Sequence, residues 1–566
     1  MEARRVNPRN LLAELESIRA RFGEGHGPRK AQLLAELREA SLPTAALVGR
    51  LHDAACFLRA CPDDEAVRAA AHALLTGFAG RRDLKRFRRA LADTGIAGTE
   101  TLYPYFGPTA RWLAQRFPGK LHVYWDNVEE DGPLEERLQL LASWSETPGL
   151  DEVAWPMRTW VKRLAGPDLT DAEWLLQRCA RVGRDQRASD QLYEELGLEL
   201  NLLPGEDTPA RTHELLPVRK VHHHVAPLRH DRPDLAAMLK VRLRERRLTG
   251  TEATRVVTLA RECMIARQRD LDAFAHGDPD DVRLFECEDG IAFAVIGVQP
   301  AYRLQLESVY AFLTLRNGVP IGYVLTSGLM GSTEIAYNVF DAWRGAEAAR
   351  LYGLVVAVAH QLYGSDTFTV YPYQLGGDGN DEGLASGAWW FYQKLGFRAR
   401  DPKVLHLMER ELGRMARDPK HRSSIATLKQ LATANVYWSK GAQREDVIGI
   451  FPLEAIGVAT TDLLARRFGA DRERGEATCA AELAALCGAR DWKRWPAAER
   501  LWWLRWAPML CAIPALPRWP VAARRNLVAV VRAKGGRCEA DFVRRFDRHA
   551  LLRKGLKDLA ASVQGL

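Results

Sequence analysis

The sequence lacks the cysteine patterns that mark disulfide frameworks and thiolate metal sites. Its nine cysteines are odd in number, are scattered from Cys56 to Cys538, and never form a Cys-x-x-Cys pair. Disulfide-rich secreted domains and zinc ribbons need regular cysteine spacings. The pattern therefore predicts a protein of the reducing cytoplasm.

Long apolar runs are also missing. The most apolar window, around Leu351–Leu362, is too short and too interrupted to span a bilayer. The charged residues that follow Met1 have no apolar run behind them, which argues against a secretory signal. We therefore expect no membrane segment in this chain.

Several motifs of well-known catalytic and metal sites are absent. There is no Gly-x-Ser-x-Gly nucleophile elbow, and the glycine-rich segment 376–383 lacks the Lys-Ser/Thr of a phosphate-binding loop. The run His222-His223-His224 has no spaced partner that would complete a ligand set. We predict no metal site.

The net positive charge of the chain lies at one end of the sequence. Residues 518–566 hold twelve Lys and Arg against four Asp and Glu, which equals the formal charge of +8 for the whole chain. A basic tail of this kind attracts RNA or an acidic carrier protein, although a solvated helix face has the same composition. Both interpretations of residues 518–566 stay open.

The length of 566 residues and the changes in residue pattern predict several regions. Apolar residues at helical spacing, such as Leu11, Leu12, Leu15 and Ile18, indicate helices over much of the chain. Between Trp492 and Trp519 six tryptophans occur in 28 residues, and we interpret them as a buried packing seam. The predicted regions are 1–98 (helical), 99–232 (mainly helical with a short β segment), 252–410 (α/β), 411–517 (helical, Trp-rich) and 518–566 (basic, helical).

The segment from about Val282 to Phe397 has a different pattern. Runs such as 292–298 and 309–315 are rich in β-branched and aromatic residues, and Asn317-Gly318 separates two such runs. Asn-Gly between two strand-like runs is a strong hairpin signal, because both residues tolerate positive φ. Strands, then an apolar helix, a strand and a second helix predict an α/β layered fold, and we expect a helix over 252–275 before it.

The first motif within this segment is Val339-Phe340-Asp341-Ala342-Trp343-Arg344-Gly345. It resembles a motif of the GNAT (N-acetyltransferase) superfamily, in which a strand ends at a valine five residues before an Arg-Gly that opens a helix. The resemblance implies a mixed sheet with helices on both faces. It also implies that backbone near Val339 and Phe340 pairs with the pantetheine arm of acetyl-CoA or another acyl-CoA. Backbone N–H groups at Arg344, Gly345 and Ala346 would then hold the pyrophosphate at the helix N-terminus.

The second motif is Ala388-Trp389-Trp390-Phe391-Tyr392-Gln393-Lys394-Leu395-Gly396-Phe397. It resembles the Ala-x-x-aromatic-Tyr-x-Lys-Leu-Gly-Phe signature of the same superfamily. The resemblance implies that Tyr392 protonates the departing CoA sulfur as general acid. It also implies that Glu334, on the strand leading to Val339, serves as the base directly or through water.

The sequence departs from the superfamily pattern at two positions. Glu347 replaces the second glycine of the usual Arg-Gly-x-Gly, and we expect its carboxylate to repel pyrophosphate unless Arg344 or Arg350 neutralises it. Ala385 replaces an asparagine seven residues before the motif tyrosine. Asp378, Asp381 and Glu382, in the glycine-rich loop, are expected beside the acceptor.

These motifs lead to one main hypothesis and two alternatives. The main hypothesis is a GNAT-like N-acyltransferase that moves an acyl group from acyl-CoA to an amine on a small molecule or protein. The first alternative changes the donor to acyl-carrier protein or aminoacyl-tRNA, held by residues 518–566. The second alternative is a GNAT-shaped scaffold or binding protein without catalysis.

Overall fold

The computed structural model describes residues 7–23, 25–345 and 347–563 of the chain. The fold is mixed α/β, with one large mixed sheet and many helices. Among the described helices, none combines the length and the apolar character needed to cross a membrane.

Two regions precede the large sheet. The first is helical, and Asp64 caps one of its helices by accepting a hydrogen bond from the backbone N–H of Val67 at 2.9 Å. Its helices are α1 (Pro8–Ile18), α2 (His26–Glu39), α3 (Ala45–Ala60), α4 (Glu65–Thr76) and α5 (Arg82–Arg86). The second combines helices with a small antiparallel sheet: β1 (Thr101–Tyr103), α6 (Gly107–Arg116), β2 (Leu121–Val123), α7 (Pro133–Leu141), α8 (Thr147–Glu152), α9 (Met157–Ala165), α10 (Asp171–Val182), α11 (Gln186–Glu194) and β3 (Leu200–Leu202). Helix α10 ends at Val182, immediately before Gly183.

The central region holds the large sheet. Its elements are α12 (Leu235–Met238), β4 (Arg244–Leu248), α13 (Gly250–Ile265), α14 (Asp272–Ala275), β5 (Gly277–Glu286), β6 (Ile291–Val298), β7 (Ser308–Arg316), β8 (Val319–Leu329), β9 (Ser332–Val339), α15 (Ala348–Tyr363), β10 (Thr367–Val370), α16 (Pro372–Leu375), α17 (Asp381–Ser386), α18 (Ala388–Lys394), β11 (Arg398–Ala399), α19 (Pro402–Arg417), α20 (Ile425–Leu431) and β12 (Val436–Ser439). The strand order is β11-β12-β10-β9-β8-β7-β6-β5-β4. The sheet therefore extends past both ends of the predicted 252–410 region, because β4 and β12 lie outside it.

The predicted hairpin at Asn317-Gly318 is confirmed. It joins β7 to β8, and both residues have positive φ, 47° and 78°. The expected helix over 252–275 is wrong in its second half, since α13 ends at Ile265. Contacts with the preceding region end it there: the Gln268 amide donates to the Leu102 carbonyl at 2.9 Å, and the Asp270 carboxylate accepts from the Phe106 N–H at 2.8 Å.

Helices cover both faces of the sheet. Phe274 of α14 packs against Tyr323 of β8 on one face. On the other face, Tyr352 of α15 packs against Tyr337 of β9. The side chains of a strand alternate between these faces, so Glu334, Ala336 and Asn338 point towards the α14 side while Ile335 and Tyr337 point towards α15.

The final region is helical and packs onto the sheet. It contains α21 (Leu453–Phe468), α22 (Arg472–Cys487), α23 (Ala497–Cys511), α24 (Val521–Lys534), α25 (Glu539–Arg548) and α26 (Ala550–Ala561). Trp502, Trp503 and Trp506 of α23 are buried, and their indole N–H groups donate to the carbonyls of Pro300, Ala480 and Gln305 at 2.7–3.1 Å. The predicted tryptophan packing seam is confirmed.

The buried apolar residues form two cores. One core joins the N-terminal helices, the large sheet and the C-terminal helices. The other belongs to residues 105–202, with Ile265 of α13 as its contact outside that range. Residues 1–98 and 518–566 therefore share a core with the sheet.

Candidate functional site

The central feature of the candidate site is a gap between β9 and β10. These strands run parallel but are in register over three residues only, Ser332–Glu334 against Thr367–Thr369. Strand β10 then ends, because Pro372 opens α16 and proline cannot continue a hydrogen-bonded strand. Strand β9 continues to Val339, so its second half has no registered neighbour on the β10 side within the described residues.

Backbone direction along β9 decides which groups face this gap. The Phe340 N–H donates to the Ile321 carbonyl at 3.0 Å, and the Phe340 carbonyl accepts from the Trp343 N–H at 2.9 Å. Because backbone groups alternate along a strand, the N–H and carbonyl of Val339 point away from β8 and into the gap. The Val339 carbonyl accepts from Arg344 Nε at 3.2 Å. Val339 thus presents its backbone to the gap, whereas the backbone of Phe340 is already bonded.

The turn after β9 brings Arg344 and Gly345 to the mouth of the gap. Arg344 is half-exposed and pairs with Asp341 at 2.7 Å and also with Glu382. Gly345 has φ of 80°, and open space surrounds the position that a Cβ would take. Ala346 lies outside the described residues. The turn is therefore tied to the glycine-rich loop by Arg344 and is open at Gly345.

Glu347 lies at the start of α15 and is buried. Its carboxylate contacts Arg316, accepts from Arg350 at 2.9 Å, and accepts from the Arg229 N–H at 3.2 Å. Burial opposes ionisation, but the two guanidinium groups prevail and hold the pKa of Glu347 below its ordinary value. The expected neutralisation by Arg350 is confirmed. Arg344 takes no part in it, and the main partner, Arg316, comes from the distant strand β7.

Tyr392 belongs to a cluster of three tyrosines between β9, α15 and α18. Its ring lies 5.3 Å from that of Tyr352, which in turn lies 5.5 Å from that of Tyr337. Only 3% of Tyr392 is exposed, and burial raises the pKa of its hydroxyl well above the ordinary value. The Tyr352 hydroxyl is buried and has no hydrogen-bond partner among the described residues. The cluster therefore holds protonated phenols beside the free half of β9.

Glu334 lies on the opposite face of the sheet. Burial, and after it the neighbouring Glu307 carboxylate, raise its pKa to about 7. Ser327, the register partner of Glu334 on β8, donates to Glu307 at 3.5 Å. Tyr371 is half-buried nearby, and burial together with these two carboxylates raises the pKa of its hydroxyl. A carboxyl with a pKa near neutrality is suited to accept a proton at physiological pH.

Five residues of extended strand place Glu334 about 17 Å from Val339. Tyr337 lies between the two and leads to Tyr392. The predicted residues Glu334, Val339, Phe340, Arg344 and Gly345 thus lie along one strand and its following turn, with Tyr392 packed behind that strand. The sequence did not indicate Glu307 or Tyr371 as site residues, because each comes close to Glu334 from a different loop.

Asn380 and Glu382 of the glycine-rich loop make structural contacts. Asn380 caps α17 by accepting from the Gly383 N–H at 3.0 Å, and it donates to the Tyr373 carbonyl at 2.7 Å. Ala385 lies within α17. Of the three acidic residues expected beside the acceptor, Glu382 contacts the Arg-Gly turn through Arg344.

Half of the cations in the basic C-terminal segment form ion pairs within the molecule. Six of its twelve cations form ion pairs: Arg532, Lys534, Arg537, Arg553, Lys554 and Lys557. Arg518, Arg525, Arg545 and Arg548 are exposed and have no ion pair within the described residues. In the same described part of the chain, no group of three His, Cys, Asp or Glu side chains is arranged to hold a metal ion.

Comparison with known protein families, with curated proteins and with solved structures gave no match for this chain. The fold defines the chain as a mixed α/β protein with a large mixed sheet flanked by helices.

Proposed function

We propose that the large sheet carries a GNAT-like N-acyltransferase site, which moves an acyl group from a thioester donor, acyl-CoA, to an amine. The observation that carries the proposal is the free half of β9. It lies between a carboxyl with a pKa of about 7 on one face and a buried phenol cluster on the other.

The strand order supports the resemblance on which the proposal rests. In the large sheet, β9 and β10 form the one parallel pair among the described strands, and they separate after three registered residues. Parallel neighbours that separate leave backbone N–H and carbonyl groups unpaired along one edge. An extended chain with amide groups, such as a pantetheine arm, can pair with that edge as an added strand would.

The charges at the turn are compatible with a diphosphate. The carboxylate of Glu347 points into a buried ion pair with Arg316, so its charge is offset. The first N–H groups of α15 remain at the mouth of the gap and attract phosphate, and the half-exposed Arg344 guanidinium beside them would have to exchange its pairs with Asp341 and Glu382 for the phosphate. This arrangement favours CoA over the other donors suggested by Glu347.

The proposed reaction is a direct transfer in a ternary complex. An ammonium group of the acceptor loses a proton to Glu334, directly or through a water molecule. The neutral nitrogen attacks the thioester carbonyl carbon, the carbon–nitrogen bond forms, and the carbon–sulfur bond breaks. Tyr392 gives its proton to the thiolate, and its phenolate is neutralised by the proton released from the amide nitrogen.

Binding of the donor is tested by thermal shift with acetyl-CoA, longer acyl-CoAs and free CoA. Binding to the native state raises the unfolding temperature as ligand concentration increases. We expect stabilisation by at least one of these compounds. No shift with any of them would remove CoA as the donor and leave the carrier-protein, tRNA and scaffold alternatives.

The role of Tyr392 is tested by Tyr392→Phe, with transfer followed by release of free thiol. We expect kcat to fall about 10²–10⁴-fold while donor binding persists, because a general acid contributes an effect of that size. Tyr193→Phe is the matched control, since Tyr193 is also a buried tyrosine but belongs to the other core. Unchanged kcat in Tyr392→Phe would exclude it as the acid.

A further inference from the structure

A second cleft, of about 910 Å³, lies away from the β9 gap where three regions of the chain meet. Its walls are the outer face of α13, the turn after α4, and the segment that leaves β3, with Arg116 from the end of α6. This volume is within the range of small-molecule pockets. The proposed acyl transfer makes no use of the cleft.

The cleft has more carboxyl groups than arginines in its lining. Glu206, Asp207, Glu214 and Glu262 line it, against Arg116 and Arg255. His213 adds no charge at neutral pH, because burial lowers its pKa below the ordinary value. Both arginines are exposed, whereas Glu262 is half-buried on α13.

Glu262 is the half-buried carboxylate of the cleft that lacks a partner, whereas Glu206 and Asp207 are exposed to solvent. Glu214 is buried and paired with Arg267 at 2.7 Å. The Glu262 carboxyl has no hydrogen bond or ion pair with any residue that the structure describes. Burial is the first cause that raises its pKa, to about 7, while Arg116 opposes the rise and Glu214 and Asp207 add to it. A half-buried carboxylate without a partner is costly unless a cation joins it.

We propose that this cleft binds a small organic molecule through a primary ammonium group, which pairs with the Glu262 carboxylate beside Asp207. This cleft is distinct from the proposed acyl-transfer site at the β9 gap. Glu262 lies on the outer face of α13, whereas Glu334 lies on β9, beneath the helices. The proposal does not depend on acyl transfer.

The proposal is tested by isothermal titration calorimetry of the full chain with 1,4-diaminobutane. We expect saturable binding that Glu262→Gln weakens at least tenfold. Affinity should rise about tenfold from pH 6 to pH 8, because a carboxyl with a pKa of about 7 goes from about one-tenth to about nine-tenths ionised over that range. Glu252→Gln, at an exposed position of the same helix, should bind as the unmodified chain does.

Further variants distinguish amine binding in this cleft from amine binding at the β9 gap. Glu334→Gln should retain the binding that Glu262→Gln loses. The proposal is overturned if amine binding is lost in Glu334→Gln and kept in Glu262→Gln, or if no amine binds at millimolar concentration. It is also overturned if inorganic phosphate binds in place of the amine and Arg116→Gln abolishes that binding, since the cleft would then be an anion site.

Discussion

At the scale of single residues, charges that are buried in pairs differ from charges that are buried alone. Glu347 and Arg316 are each about 3% exposed at the side chain and contact one another. Glu334 and Glu262 have no cation of their own, and burial raises the pKa of both. The paired carboxylate supports the fold, and the two others are available for chemistry or binding.

Glu347→Gln should destabilise the protein by about 2–4 kcal/mol, because it leaves the Arg316 guanidinium buried without its counter-charge. Urea unfolding would measure the loss. Glu382→Gln is the matched control: it removes the carboxylate that pairs with half-exposed Arg344, and we expect a change below about 1 kcal/mol. Equal losses in the two variants would show that the Glu347 pair contributes nothing special to stability.

Glu334→Gln should raise stability at pH 8 and change it little at pH 5. The ordinary pKa of 4.5 rises to about 7 in the folded chain, so the folded state holds an extra proton between these values. Stability therefore falls as pH rises from about 4.5 to about 7 and is level above that. We expect a gain of about 1–2 kcal/mol at pH 8 from removing the buried charge, read from unfolding curves at the two pH values. A gain of the same size at pH 5 would contradict the raised pKa.

At this scale the sequence identified the residues of one strand and one turn but not their partners. Glu334, Val339, Arg344 and Tyr392 lie in local motifs whose spacing is visible in the sequence. Glu307 and Arg316 approach Glu334 and Glu347 through tertiary packing. Their roles depend on how the strands are paired in the sheet, and a local sequence pattern does not show that pairing.

At the scale of elements, β8 and β9 approach one another closely beside the gap, and this approach sets the position of the β9 edge that faces the gap. Gly322 allows it, since a Cβ there would meet the Asn338 carbonyl oxygen at 2.4 Å and Val339 Cα at 3.2 Å. Any side chain at this position would push the two strands apart near the gap.

Gly322→Ala should destabilise the protein by about 1–3 kcal/mol through this overpacking and should weaken donor binding. Denaturant unfolding and thermal shift with CoA would measure the two effects. Gly413→Ala, in the exposed middle of α19 with open space around it, should instead stabilise by up to about 1 kcal/mol. A Gly322→Ala variant as stable as the unmodified chain would show that the strands separate at little cost.

Elements with a strong local pattern were predictable and others were not. The β7–β8 hairpin carries Asn-Gly between apolar runs, and both the turn and the strands are where the sequence predicts them. Strand β4 reads Arg-Glu-Arg-Arg-Leu and is an edge strand with mostly exposed side chains, so it lacks apolar alternation. Helix α13 is shorter than predicted because, after Ile265, the side chains of Gln268 and Asp270 bond to the preceding region at Leu102 and Phe106.

At the scale of the whole molecule, the C-terminal helices are part of the sheet's support. Arg303 Nη1 donates to the carbonyls of Lys534 and Gly536 at 2.6 and 2.7 Å, and the Asp281 carboxylate accepts from the Glu539 N–H at 3.0 Å. Arg303 is 5% exposed and Asp281 is 1% exposed. The basic segment is therefore structural on one side and exposed on the other.

Truncation after Pro517 should give an unfolded or aggregated protein, because it removes the partners that Lys534, Gly536 and Glu539 supply to the buried Arg303 and Asp281. Circular dichroism and size-exclusion chromatography would measure this. The combined variant Arg525→Glu, Arg545→Glu, Arg548→Glu changes exposed charges alone and should stay folded. It is therefore the suitable variant for testing docking of RNA or an acidic carrier protein, and a folded truncated protein would contradict the structural role of α24–α26.

The hydrogen bond between Asp281 and Glu539 joins residues 258 positions apart. During synthesis, β5 leaves the ribosome long before the segment that satisfies its buried carboxylate. At elongation rates of about 5–20 residues per second, the sheet stays incomplete for on the order of 13–50 seconds. Chaperones and proteases therefore have a long interval in which to bind the incomplete chain. Chains whose synthesis stops early keep the exposed sheet face that these proteins recognise.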